Sequence, residues 1–312
     1  MAPAVDVRIG ISGWNYPSWR GSFYPAGLPH AQELAYASQL FRAIEINGTF
    51  YSQKTPDVFA RWAAETPEDF VFAVKGSRFI THMKRLRDTA VPLANFFASG
   101  VLRLGAKLGP ILWQLPPSFA FDRERLDEFF ALLPPDTNAA AACARKHDSR
   151  LKSRGWLRSD ANRPLRHALE VRHESFRDPA FVDLLREHDI ALVCADTVEW
   201  PLLMDLTSDF VYCRLHGSTE LYRSRYSAQA LDRWADRIRA WSTGETMTDG
   251  TFIEPSAGKP LPRDVFVFFD NTDKRHAPGD ALALARRINP TRSEAVPSWW
   301  SRSGARSAPS RV

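Results

Sequence analysis

The stretch VYCRLHGS, Val211 to Ser218, sets a phenol, a guanidinium and an imidazole at every second position: Tyr212, Arg214 and His216. Side chains alternate across a strand, so Val211, Cys213 and Leu215 form an apolar face and the three polar groups share the other. An arginine fork grips carboxylates and phosphates through parallel hydrogen bonds, and histidine exchanges protons near neutral pH. The same parity recurs in other apolar runs. Glu45 and Asn47 fall with Ala43 in AIEINGTFY, Lys75 with Ala73 in VFAVKGS, Gln114 with Leu112 in PILWQ, and Glu170 and Arg172 with Ala168 in HALEVRH. A last apolar run ends in Asp270-Asn271. In each, small or apolar residues come first and polar ones last.

The elements that must position these groups are eight strand-like runs: 7–12, 43–47, 70–75, 110–114, 167–172, 190–195, 210–216 and 265–271. Helical segments lie between most of them. Thr55-Pro56 precedes Val58, Phe59, Trp62 and Ala63, and Asp178-Pro179 precedes Phe181, Leu184 and Leu185. Each pairs a capping residue with a proline suited to the first turn. Asp122 and Ser227 introduce two more apolar series at helical spacing. Strands alternating with helices imply parallel pairing, and the count and length fit a single α/β domain, a (β/α)8 TIM-type barrel over residues 1–290. Its connection between strands six and seven, containing EWPLLMDL, leaves little room for a helix. An inserted basic segment, 134–164, precedes strand five and is expected on the N-terminal face, with a short helix over 139–147. The Ser/Arg-rich tail 291–312 is expected to be partly disordered after docking Trp299-Trp300.

In such a barrel the C-terminal strand ends meet at one mouth and carry the chemistry. Glu45, Asn47, Lys75, Gln114, Glu170, Arg172, Arg214 and His216 therefore converge. Polar side chains aimed into a barrel must be satisfied by one another, by water or by a ligand. The loops add Trp14 in SGWNYPSWRGSFYP, Tyr51 in GTFYS, and Arg78 and His82 in KGSRFITHMKRL. The mouth reads as net positive and lined on one side by aromatic rings, which points to a small anionic substrate, a phosphate or carboxylate, on a sugar or nucleotide among others.

Bulk composition narrows the classes. Among 312 residues, 44% are hydrophobic, enough for a core that needs no disulfide staples. Lys plus Arg number 41 against 36 Asp plus Glu, a modest excess that by itself does not indicate nucleic acid. Arg145, Lys146, Arg150, Lys152, Arg154 and Arg158 form a basic run over 145–158, but such a run is more often a solvated face than a nucleic-acid site. Three scattered cysteines without a CxxC pair indicate a reducing compartment. The N-terminus has no signal-peptide pattern, and no uninterrupted apolar run approaches about 18 residues, so no membrane partner and a cytoplasmic location are expected.

Read in order, SGW, EINGTFY, KGSRFITH, WQLPPSF, EVRHESF, RLHG and FFDN resemble the motifs of the YecE-like family, also called domain of unknown function seventy-two. The resemblance runs from about Arg8 to Asn289. It implies a TIM-barrel fold and supplies no reaction, because the family has no established activity.

The residues themselves leave three classes open. The first is a metal-independent hydrolase or lyase in which Glu45 or Glu170 is the base and Lys75, Arg172 and Arg214 clamp the anion. His216 or His82 then moves a proton, while Trp14, Asn47, Tyr51, Arg78, Gln114 and Asn271 bind substrate. Glu45 and Glu170 as a glycosidase pair, and Lys75 as a Schiff-base nucleophile, are variants of this class. The second is a metal-dependent phosphoesterase using Glu45, Glu170, Asp196, His216 and Asp270 around a divalent ion. No HxH or HExxH spacing supports it, and no cofactor is otherwise called for. The third is a non-catalytic module binding a ligand, or nucleic acid through 145–158.

Overall fold

The structure, a computed structural model, describes residues 5–289 except 152–153, 218–223, 246, 248, 255–260 and 272–274. The tail 291–312 and Lys152 of the basic run lie outside the described residues. Eight strands form one sheet: β1 (Val7–Ser12), β2 (Ala43–Ile46), β3 (Val71–Lys75), β4 (Leu108–Gln114), β5 (His167–Glu170), β6 (Ala191–Asp196), β7 (Phe210–Leu215) and β8 (Asp264–Phe269). Neighbours pair in chain order, and β8 closes on β1 through a parallel register that sets Val7 beside Val265. The chain is an α/β barrel of the (β/α)8 type.

Between the strands run α1 (Glu33–Leu40), α2 (Gly48–Tyr51), α3 (Pro56–Ala64), α4 (Ala90–Ala98), α5 (Arg123–Ala131), α6 (Thr137–Ala144), α7 (Pro179–Glu187), α8 (Ala228–Thr243) and α9 (Ala277–Ile288). Asp122, Asp178 and Ser227 cap α5, α7 and α8 through their side chains, as their positions predict. Thr55 makes no such bond at α3, where Pro56 alone marks the start. The β6–β7 connection, 197–209, contains no helix. Thr207 fixes it instead, accepting from the Leu192 amide at 2.8 Å and donating to the Ile190 carbonyl at 2.7 Å. This irregular path brings Trp200 against His216, with ring centroids 5.7 Å apart.

The inserted segment leaves and rejoins beside β5 through an Asp136–Pro164 bridge, and its helix α6 covers 137–144 rather than 139–147. It then runs along α4, where Asn95 donates to Asp148 at 2.9 Å and the Trp156 amide donates to the Ala98 carbonyl at 2.8 Å. Arg150 lines a cleft with Ser77 and Arg78, just beyond the C-terminal end of β3, so the segment is not confined to the N-terminal face. Part of its charge has a packing role: Trp156 lies between the guanidinium groups of Arg103 and Arg158, at 4.2 and 4.4 Å.

Odd positions of β7 and β8 and even positions of β2 and β3 pack outward among the helices; their alternates fill the interior. That interior is lopsided. Ala43, Ala73, Ala168, Ala191 and Ala195 leave space that Tyr212, Phe266 and Phe268 fill from β7 and β8. On β1 the inward residue is Gly10, where a Cβ would sit 1.9 Å from the Ala43 carbonyl oxygen. Gly10→Ala must push β1 from β2 at the start of the barrel seam. It should lower stability by about 1–3 kcal/mol, the usual cost of forcing extra volume into a packed interior, read as a lower thermal midpoint.

Candidate active site

At the C-terminal end of the interior one long side chain, Arg214, reaches residues of β1, β2 and β5 and the end of β8. Arg214, Glu45 and Glu170 are each 0% exposed. Nε and Nη2 of Arg214 donate to the two carboxylate oxygens of Glu45, both at 3.0 Å. Nη1 donates to Glu170 at 2.6 Å and faces the His216 Nε2 at 3.4 Å. Nη2 also reaches Asp270 at 2.7 Å and the Ser12 hydroxyl at 3.3 Å. Every N–H direction of the guanidinium is thereby used.

The carboxylates are equally occupied. Tyr212 donates its phenol proton to Glu45 at 2.7 Å, and Ser12 donates to the other Glu45 oxygen. Glu170 accepts from Gln114 at 2.8 Å and from Arg172 Nε at 2.7 Å. Burial would raise the Glu170 carboxyl, but Arg172 and Arg214 outweigh it and hold the group well below the usual carboxylate range. Burial, reinforced by Glu45, keeps the Tyr212 phenol protonated well past its ordinary range. The expected roles shift accordingly. Glu45 and Glu170 are fully buried hydrogen-bond acceptors, and Arg214 is ringed by three carboxylates.

His216 belongs to the same cluster. Its Nδ1 lies 3.5 Å from Asp270, and its ring is 0% exposed. Burial, then Arg214, lowers its pKa to about 3, so the imidazole is neutral, with Nε2 turned to a donor and Nδ1 to an acceptor. His82 is also neutral: burial, then Lys75 and Arg172, lowers it to about 4. Neither histidine is an imidazolium acid at neutral pH.

Lys75 differs from everything around it. It ends β3 on the interior face, 7% exposed, with Nζ 4.4 Å from the centre of the Phe50 ring. His82 stands edge-on against that same ring at 5.0 Å. Among the described residues, Nζ makes no hydrogen bond and no ion pair within 4.0 Å. Burial, then Arg214, lowers its pKa to about 7 against the opposing pull of Glu45, Glu170 and Asp270.

The remaining predicted residues divide. Gln114 and Arg172 lie in the network, and Arg172 also stacks on Trp200 at 4.0 Å. Asn47 donates to the Ser12 hydroxyl at 2.8 Å. Trp14 meets Trp62 edge-on and lines, with Asn47 and Tyr51, a cleft of about 660 Å³ beside the ends of β1 and β2. Tyr51, 71% exposed, also borders a second cleft of about 440 Å³ that includes Arg78. Asn271 is not at the mouth. It donates outward to Asp280 of α9 at 2.9 Å.

A family model described as Protein of unknown function DUF72 matches residues 8–302. The chain belongs to that family. It is 24% identical over 276 residues to UPF0759 protein YecE of Escherichia coli strain K12, covering 86% of this chain and 93% of that one. UPF0759 protein YunF of Bacillus subtilis is 27% identical over 125 residues, 38% of this chain and 43% of that one. Two solved DUF72 structures share the fold: one from Thermotoga maritima has a TM-score of 0.67 at 24% identity, covering 91% of this chain and 99% of that chain. One from Enterococcus faecalis has a TM-score of 0.64 at 16% identity, covering 91% and 95%.

In this DUF72 barrel the cluster also takes in Ser12 and Trp200, which the sequence reading does not name, and Tyr212 and Asp270, which it gives no role in the metal-independent site. Tyr212 and Asp270 share the inward parity of their strands, so the pattern that finds Arg214 also finds them. Trp200 sits in a segment with neither helical nor strand periodicity and gives no such signal. The expected positive excess is absent from the floor, where Glu45, Glu170 and Asp270 balance Arg172, Arg214 and protonated Lys75. Asp196, offered as a metal ligand, instead accepts from the Trp234 indole of α8 at 3.0 Å. No helix among the described residues is long and apolar enough to cross a membrane.

Proposed function

We propose that the mouth is the active site of a metal-independent enzyme of the hydrolase or lyase class acting on a small anionic substrate, with Lys75 as its reactive base or nucleophile. The observation that carries this reading is the Lys75 amine, which among the described residues makes no hydrogen bond or ion pair, in a floor where Glu45, Glu170 and Asp270 are each bonded to Arg214. A group meant only to balance charge would be drawn into the network. Lys75 instead stands above it, next to an aromatic ring, in the proton range where a base works at neutral pH. The anion's partners on this reading are Arg78, exposed at the turn after β3, and the rim-facing part of Arg172. Glu45, Glu170, Asp270 and Arg214 hold the floor rigid, so Lys75 keeps its place.

The metal-dependent alternative needs Glu45, Glu170 and Asp270 as ligands. Their oxygens already surround Arg214, which takes the place a divalent cation would need. A thermal-shift screen of EDTA-treated protein against small phosphates, carboxylates and sugar acids tests the proposal. A ligand should raise the melting temperature of the wild type, with or without EDTA, and lose that effect in Arg78→Ala and Lys75→Met. Stabilisation that requires a divalent metal, or that survives both substitutions, would overturn it.

A further inference from the structure

We propose that Lys75 is a covalent site whose amine condenses with the carbonyl of a small anionic ketone or aldehyde to form a Schiff base. The inference rests on the reading of the mouth above and narrows its substrates to carbonyl compounds such as α-keto acids or phosphorylated ketoses.

A lysine with a structural role finishes its hydrogen bonds. Lys107, half-buried, does so, donating to the Ala63 and Thr66 carbonyls at 2.5 and 2.7 Å and to the Thr66 hydroxyl at 3.2 Å. Lys75 has none of these among the described residues, and the carboxylates nearest in the network are committed to Arg214 and Arg172. No local acceptor therefore holds its protons in place, and one side of the amine is covered by the Phe50 ring. An amine desolvated against apolar surface and beside a second cation is the setting that makes lysine nucleophilic. With its pKa at about 7, the unprotonated share at neutral pH exceeds that of an ordinary lysine by about three orders of magnitude.

In the step itself, the Nζ lone pair forms a bond to the carbonyl carbon and the C=O π pair moves to oxygen. Nitrogen gives up one proton and oxygen gains one, leaving a carbinolamine. The C–O bond then breaks, oxygen departs as water after taking a second proton, and the nitrogen pair completes C=N⁺. Amine, carbonyl and one proton thus give iminium and water, with no change in oxidation state. The iminium draws electrons from the neighbouring carbon, so loss of a proton or of a carbon leaving group there becomes accessible, and water reverses the condensation. The substrate's carboxylate or phosphate meets Arg78 and Nη1 of Arg172, the nitrogen that Glu170 does not engage.

The test incubates the full-length protein with glyoxylate, pyruvate or dihydroxyacetone phosphate, each with sodium borohydride, and maps the modified peptide by mass spectrometry. Hydride delivery to the iminium leaves a stable secondary amine, so Lys75 should gain the mass of the carbonyl compound less one oxygen atom. Labelling of Lys75 should exceed that of any other lysine by about tenfold or more, as its larger free-amine share dictates, and should rise with pH around 7. Mapping the adduct in the wild type keeps the result readable even where Lys75→Arg folds poorly. Labelling spread over surface lysines, or none at Lys75 with all three probes, overturns the covalent step. Should Lys75 stay unlabelled while an anion still stabilises the wild type and not Lys75→Met, the covalent inference falls and the mouth remains a binding and acid–base site. Loss of both effects removes the two readings together.

Discussion

Arg214→Met is expected to cost the protein about 3–5 kcal/mol, a large part of a typical domain's stability, and not merely to weaken a ligand. Three carboxylates converge on this guanidinium, and Glu45 and Glu170 have no exposure through which water could replace it. Removing the cation leaves like charges buried together, so one of them must take up a proton on folding. Glu45→Gln removes one of those charges in advance, and Arg214→Met should therefore cost less in that background than alone. Urea unfolding at neutral pH reads both. The acid limb carries a second signature. The Glu170 carboxyl is depressed in the folded state, so its stabilisation is complete above the ordinary carboxylate range and is lost as pH falls through that range and below it. His216, neutral in the fold down to about pH 3, acts in the same direction below its unfolded value near 6.5. Wild-type stability should thus fall steadily on acidification, and Arg214→Met should lose the share of the Glu170 part that Arg214 supplies, Arg172 keeping its own. Equal urea midpoints for wild type and Arg214→Met would sink this account of the floor.

How much of this was legible in the sequence depends on which physical rule carries the information. Alternation along a strand is local, so Glu45, Lys75, Gln114, Glu170 and Arg214 could be turned inward from their own neighbours alone. The barrel followed from the apolar runs and the side-chain caps at Asp122, Asp178 and Ser227. Strand ends moved by a residue or two where pairing ran out, as at β8, which stops at Phe269. Asn271 then falls on the parity that faces α9, while Asp270 takes the inward one. Partner choice across a barrel is not local. Tyr212 meets Glu45 from a position 167 residues away, and no spacing rule links them. Charge counting failed for a related reason: it added rim cations such as Arg78 to floor cations such as Arg214, although only the latter face the carboxylates. Trp200 was out of reach because a connection held by the Thr207 hydroxyl has no period to read.

Lys75→Met is expected to make the protein more stable at neutral pH while removing its proposed activity. The sign follows from the competing influences on the amine. Glu45, Glu170 and Asp270 favour the ammonium, yet burial and Arg214 outweigh them, bringing the pKa from 10.5 to about 7. Folding therefore opposes the charge at this position, and a methionine of similar length escapes that penalty while keeping contact with Phe50. Between pH 7 and pH 10.5 the unfolded chain holds a proton here that the folded chain lacks, so wild-type stability contributed by this group rises with pH across that window. Methionine has no such dependence. The advantage of Lys75→Met should be about 1–3 kcal/mol at pH 7 and should shrink toward pH 10, where the lysine is neutral in the fold and has begun to lose its proton outside it. Paired urea titrations at the two pH values measure the difference directly. A methionine variant that is less stable at pH 7 would mean that the ammonium is a needed counter-charge of the Glu45–Glu170–Asp270 cluster. A positive gap that closes with pH would mean that the fold maintains, at a cost in stability, an amine held ready for chemistry.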